Sequence, residues 1–319
     1  WLWTLSGQIR QMQFVYTYAA ILIAGIGGIV RLLRTQRVSG RQRALGLVFL
    51  LAFGVLFLSS VRYRGLTGDW IPILEWRWAD RIDWTQRSLG ALSDLGGRNE
   101  PIDLAFPAAF SRFLGPNSNS TVSGLNLERD WDASPPQQVW RRHIGGGWAG
   151  FAIAGDVAYT LEQRDDKEFV VAYDLESGGE IWGHADKAYF SNVMGGTGPR
   201  TTPSVSQHAV FTLGATGLLN ALDRTTGALL WQHDIIAEND ARLPEHGTSG
   251  SPLLVDDLVV VHAGGSNNRS VVAYRQDGGA FVWGGGSDRA GFASPVLAEL
   301  AGVRQILVFN AASVAGHAI

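Results

Sequence analysis

The sequence predicts an all-β propeller, present in part, preceded by two transmembrane α-helices. Three observations carry this. An eleven-residue unit returns three times at near-constant spacing, two uncharged runs of spanning length lie near the start, and the composition is rich in glycine and tryptophan but poor in charge.

Charged residues make up 17% of the 319, below the roughly 25% of ordinary soluble domains, which suggests membrane segments or a β-rich interior. The 40 glycines and 12 tryptophans fit many tight turns and periodic aromatics, a propeller cue. A net charge of −3 gives no global field to draw nucleic acid. Cysteine is absent, which excludes disulfides, thiolate metal sites and cysteine nucleophiles. The first residue is Trp1, not Met, and Ile319 ends a strand-like run. Both ends are therefore expected to be internal points of a longer chain.

Twenty residues without charge separate Arg10 from Arg31, and 18 separate Arg43 from Arg62. At about 1.5 Å per residue each reaches across a hydrocarbon core of about 30 Å, so spans are placed at 14–33 and 44–61. The connector holds Arg31, Arg34, Arg37, Arg41 and Arg43 and no acid. Cytoplasmic loops carry such positive excess, so the rest of the chain is expected outside the cytoplasm, facing the periplasm from a bacterial inner membrane. This gives an anchor over 1–64, an extracytoplasmic linker over 65–135 and a propeller over 136–319. In the linker, Trp70, Trp76, Trp78 and Trp84 suit a membrane interface, with Ile71–Trp76 lying on it, and the Gly-rich 85–100 reads as flexible.

The repeat is Ala172-Tyr173-Asp174-Leu175-Glu176-Ser177-Gly178-Gly179-Glu180-Ile181-Trp182, followed by Ala221-Leu222-Asp223 through Gly227 to Trp231 and Ala273-Tyr274-Arg275 through Gly278-Gly279 to Trp283. Each reads as strand, turn, strand. The aspartate bonds back into the turn and glycine supplies positive φ. The third unit has Arg275 where the others have aspartate. Trp140 is an earlier member. Ahead of each tryptophan, Thr202-Pro203, Ser251-Pro252 and Ser294-Pro295 open strands, where proline's missing N–H is tolerated. Each period thus holds about four short strands, the content of one blade.

The pattern Ala-x-Asp-x-x-Thr-Gly-x-x-x-Trp resembles the PQQ-like repeat of quinoprotein alcohol dehydrogenases, and also the propeller subunit of the outer-membrane β-barrel assembly machinery. The resemblance covers 136–319. It implies about eight blades, of which about four are here, and blade-docking roles for Trp140, Trp182, Trp231 and Trp283. A half ring leaves open sheet edges, so further blades are expected beyond Ile319. Phe113-Leu114-Gly115-Pro116-Asn117 is similar to the lead-in of membrane or secreted members.

Ligands of such a fold enter at the loop face. The loops there carry Asn192, Arg200, Glu245, His246, Ser249 and Arg289, with Glu162, Gln163 and Arg164 after a strand. The cofactor-binding set read from them is Glu162, Arg164, Arg200, His246 and Ser249. The resemblance implies PQQ with Ca²⁺. Arg164 and Arg200 would fork onto its carboxylates, and Glu162 would offer the metal an oxygen. The vicinal cysteines of many such dehydrogenases are absent and no catalytic base is legible. The glycine runs at 195–198 and 214–217 lack the Lys-Ser/Thr of a phosphate loop, and His184, His233 and His262 lack zinc spacing. Two functions stay open. One is an oxidoreductase acting on alcohols or sugars beside the respiratory quinone. The other is a non-catalytic scaffold for envelope proteins.

Overall fold

A computed structural model describes residues 10–34, 39–66, 71–79, 110–124 and 126–319. Trp70, Trp84, Arg37 and the 85–100 stretch lie outside these. The chain divides into two units: residues 1–82 with 191–196, and residues 83–190 with 197–319.

In the first unit, α1 is Arg10–Arg34 and α2 is Gly40–Ser60. Ser39 caps α2 in a capping box with Gln42, which satisfies N–H groups the first turn leaves free. No residue of α2 is buried, and Leu51 and Leu58 are 69% and 70% exposed. A helix apolar all round with none of its residues buried is suited to lipid rather than water. By length and composition α2 is sufficient to cross a membrane, whereas the apolar stretch within α1 is Tyr16–Arg31. An antiparallel hairpin, Val61–Leu66 with Pro72–Trp76, follows α2. Trp76 meets Phe57 edge-on and stacks on Trp78 at 5.2 Å.

The second unit is built of antiparallel meanders. Blade 1 has strands Ala152–Ala154, Val157–Arg164, Lys167–Asp174 and Glu180–Asp186. Blade 2 has Ser204–Val205, Ala209–Leu213, Leu218–Asp223 and Leu229–Asp234. Blade 3 has Leu253–Val255, Leu258–Gly265, Arg269–Arg275 and Phe281–Gly285. Blade 4 has three, Val296–Leu300, Val303–Phe309 and Val314–Ala318. Every residue of Val157–Arg164 and Leu258–Gly265 is buried, while Leu229–Asp234 is largely exposed. Neither Val157–Arg164 nor Leu258–Gly265 has an exposed face, so both lose strict alternation. The fourth strands of blades 2 and 3 hold no buried residue. Tyr159, Val170 and Trp182 of blade 1 pack on Val210 and Leu222 of blade 2, and corresponding cores join blade 2 to 3 and blade 3 to 4.

The repeated unit produces the same local geometry each time. Asp174 Oδ1 accepts from Ser177 N–H and Oγ at 2.7 Å, as Asp223 Oδ1 does from Thr226 at 2.8 Å. Trp182, Trp231 and Trp283 stand opposite Ala172, Ala221 and Ala273, with the register shifting beside each. This bulge turns the tryptophan toward the next blade. The indole N–H groups of Trp140, Trp182 and Trp231 donate to Leu175, Arg224 and Gln276 carbonyls at 2.8, 3.1 and 3.0 Å. Their rings cover Gly178, Gly227 and Gly279, where φ is 68–72° and a Cβ would stand 2.5–2.8 Å from the indole. Trp140 does this from a segment without a strand. Trp283 stacks on His317, and its buried N–H has no partner among the described residues. The receiving turn follows the third strand of a blade, and blade 4 has three.

The segment Phe110–Ser118, within the stretch expected to be linker, runs along the inner strands. Phe110 exchanges backbone hydrogen bonds with Ile153 of blade 1 at 2.8 and 3.3 Å, and Ser111 C=O accepts from Val205 N–H of blade 2 at 2.8 Å.

Candidate functional site

The inner strands of blades 2, 3 and 4 open on a hydroxyl residue followed by proline. These hydroxyls join neighbouring blades: Ser251 Oγ accepts from Thr202 N–H and Ser294 Oγ from Ser251 N–H, both at 2.9 Å. Each serine keeps its own hydroxyl hydrogen to donate. A cavity of about 590 Å³ lies against them, walled also by Arg112, Phe113, Arg200 and Phe292. Arg112, brought in by the inner-strand segment, is half-buried with no carboxylate partner among the described residues, and burial lowers its pKa. Arg200 donates to Gly198 C=O at 2.5 Å and lies 4.8 Å from the Phe190 ring centroid. Ser249 Oγ donates to Phe292 C=O at 3.1 Å, and the His246 ring is 5.6 Å from that of Phe292. Arg200, His246 and Ser249 therefore gather around Phe292. A second cavity of about 800 Å³ shares Phe292, Ala293 and Phe309 and adds Arg242, Glu245 and Arg289.

Glu162 and Arg164 lie elsewhere, buried inside blade 1. Positions two apart on a strand share a face, and here the two pair directly. Arg164 Nη2 reaches Glu162 Oε1 at 2.5 Å and Glu180 Oε2 at 2.9 Å. Tyr173 O–H donates to Glu162 Oε1 at 2.9 Å, and Gly145 N–H donates to Glu162 Oε2. Burial opposes the charge on Arg164, but Glu162 and Glu180 outweigh it and hold its pKa above the usual value. Burial, reinforced by Glu162, raises Tyr173. Gln163 bonds the Ala188 carbonyl, and Asn192 Oδ1 accepts from Met194 and Gly195 N–H within its own turn.

Glu168 and His262 are also buried. Glu168 accepts from Ala215 N–H at 2.9 Å, and burial carries its pKa up to about 7 despite that bond and Arg200. His262 faces Ser270 at 3.4 Å, and burial pushes its pKa down to about 4. Neither stood out in sequence, because burial of a lone Glu or His has no local signature.

A Ca²⁺ site takes six to eight oxygens. Both carboxylate oxygens of Glu162 are already engaged, and the described residues hold no cluster of three or more His, Asp or Glu side chains able to ligate a metal. The described residues thus do not fit a calcium–quinone centre, while Arg112 and Arg200 in one cavity do fit a carboxylate.

Sequential four-stranded antiparallel blades with docked tryptophans define a class, the PQQ-like repeat propellers. The family model described as outer membrane protein assembly factor BamB matches residues 129–291, just over half of the chain, and the chain belongs to this PQQ-like repeat family. No curated protein matches it significantly. Among solved structures it is similar to BamB from Moraxella catarrhalis at 20% identity, covering 53% of this chain and 45% of that one, TM-score 0.37. It is similar to quinohemoprotein alcohol dehydrogenase from Comamonas testosteroni at 21% identity, covering 44% and 21%, TM-score 0.36. The computationally designed Ika4 protein is 13% identical over 58% of this chain and 99% of that one, TM-score 0.39. The chain thus spans under half the length of the two natural proteins.

Proposed function

We propose that this is a membrane-anchored envelope protein whose propeller works by binding through its loop face, as a non-catalytic scaffold. The observation that carries this is the state of Glu162. The one carboxylate read as a metal ligand is used up by Arg164, Tyr173 and Gly145, while the loop-face cavities are left rich in donors. Helix α2, exposed and apolar all round, supports an inner-membrane anchor, and the Arg-rich connector supports a propeller in the periplasm.

A second reading is a PQQ-dependent oxidoreductase of alcohols or sugars. It is favoured by Arg112 and Arg200 in one cavity, a pair suited to the carboxylates of PQQ. When bound, that group would supply the redox chemistry; Arg112 and Arg200 would orient it and Phe113 and Phe292 would flank it.

The test is a titration of the full chain in detergent with PQQ, with and without Ca²⁺, following cofactor absorbance and melting temperature. The scaffold reading expects no binding and no thermal shift at saturation. Tight binding with a stabilised fold, which linkage demands of any native-state ligand, would overturn it in favour of the enzyme.

A further inference from the structure

The two loop-face cavities adjoin. They share Phe292, Ala293 and Phe309, and the rings of Phe292 and Phe309 are 55% and 62% exposed. Each is large enough for a whole small molecule, so a ligand that engages both is a chain rather than a compact cofactor.

The charge of this groove runs against that of the protein. The chain carries a net −3, yet the combined lining holds four guanidiniums, Arg112, Arg200, Arg242 and Arg289, and one carboxylate, Glu245. Of the nearby acids, Glu168 accepts from Ala215 N–H and also interacts with Arg200, and Asp288 accepts from Ser313 Oγ at 2.6 Å and from Asn310 Nδ2, a groove residue, at 3.3 Å. Among the described residues, Arg112, Arg242 and Arg289 have no carboxylate partner. Guanidiniums suit planar carboxylates, which they hold in bidentate fashion, and exposed phenylalanines offer faces to another ring.

We propose that this groove binds an extended acidic peptide segment that carries an aromatic residue. Its carboxylates sit on Arg112 and Arg200 at one end and on Arg242 and Arg289 at the other, with the ring against Phe292 and Phe309. This rests on the scaffold reading and names the chemistry of the partner. Single-stranded nucleic acid, the other polyanion such guanidiniums hold, is one outcome of the test.

The probe is a fluorescein-labelled peptide of alternating aspartate, glutamate and phenylalanine. Anisotropy is read against the full chain in detergent, beside an isostere in which asparagine and glutamine replace the acids. The acidic peptide is expected to bind at least about tenfold more tightly than the isostere, and added salt to weaken it. Arg112→Gln and Arg289→Gln should each weaken it about tenfold, and Phe292→Ala should weaken it too. Arg304→Gln, at an exposed pair with Asp256 outside the groove, should leave it unchanged. Melting curves of each variant establish that it is folded, and the exposed Arg289 keeps the test decisive should Arg112→Gln unfold. Equal binding of the isostere, or indifference to both arginine changes, overturns the acidic groove while leaving a scaffold of other specificity. Saturation by PQQ with Ca²⁺ and no peptide binding overturns the groove and the scaffold together. Displacement of the peptide by a single-stranded oligonucleotide at equal charge overturns the choice of partner.

Discussion

Trp182 lies flat on Gly227: the indole donates to Arg224 C=O at 3.1 Å, and a Cβ on the glycine would stand 2.5 Å from the ring. The two residues are 45 positions apart and belong to adjoining blades, so this contact is the joint between repeats. Gly227→Ala brings both a left-handed φ of +70° and a collision, and it is expected to cost about 1–2 kcal/mol from conformation alone. Trp182→Ala should cost about 3–5 kcal/mol. Trp182→Phe should cost more than Trp283→Phe, because only Trp182 loses a hydrogen bond, worth about 1 kcal/mol. Urea unfolding monitored by circular dichroism gives all four values. Equal costs for the two Phe variants would contradict the docking geometry.

Arg164→Met leaves Glu162 and Glu180 buried together without a counter-charge, and an expected loss of about 3–5 kcal/mol follows. Replacing Glu162 with Gln and Glu180 with Leu in the same chain should recover much of it, since the uncompensated charge is then gone. Thermal melts of the single and triple variants test this. If Arg164→Met is neutral, the network is not what holds the interior of blade 1.

Glu168 and His262 tilt stability in opposite directions with pH. Glu168, with a folded pKa of about 7 against an ordinary 4.5, is harder to ionise in the fold, so its contribution falls as pH rises through that window. Burial is the main cause, Asp186 adds to it, and Ala215 N–H and Arg200 oppose it. His262, at about 4 against 6.5, is harder to protonate in the fold, so its contribution is lost as pH falls from 6.5 toward 4. Burial again leads, His317 adds to it, and Asn310 and Asp288 oppose it. Relative to the parent, Glu168→Gln should gain stability between pH 5 and 7 by up to roughly 3 kcal/mol, most at the upper end. His262→Asn should be relatively most favourable at the acid end. Denaturation series at several pH values separate the two. Parallel profiles for both variants would sink the assignment.

The absence of cysteine makes orientation easy to measure. Single cysteines at Ser39 and Ser206 should label differently in intact cells with an impermeant maleimide, Ser206→Cys reacting and Ser39→Cys staying silent until the membrane is opened. Labelling at Ser39 alone would invert the topology. A chain lacking Gly40–Ser60 should pass in larger part to the alkaline-soluble fraction, because among the described residues that helix is the one whose apolar length suits a full crossing.

Blade positions were legible because the turn and docking units are local. Asp174 and Asp223 close their turns through side chains within three residues, Gly227 supplies the positive φ such a turn needs, and the tryptophan spacing follows blade length. The pairing of Glu162 with Arg164 was also present in the sequence, since residues two apart on a strand share a face, but their rank as ligands came from resemblance and not from that geometry. Arg112 had no signal at all. It lies in a stretch without periodicity, and only the return of Phe110–Ser118 to the inner strands brings it beside Arg200 and Phe292.

The sequence by itself determined where the blade strands and their tight turns fall and which tryptophans recur, because period-two burial and backbone φ preferences act over a few residues; which glycine each tryptophan meets was decided by blade stacking. The tertiary structure alone decided which polar side chains are consumed and which stay available. Whether a guanidinium meets a carboxylate or an open cavity depends on segments such as 110–118, 198–202, 242–253 and 289–296, which are far apart in the chain and become neighbours only when the blades stack.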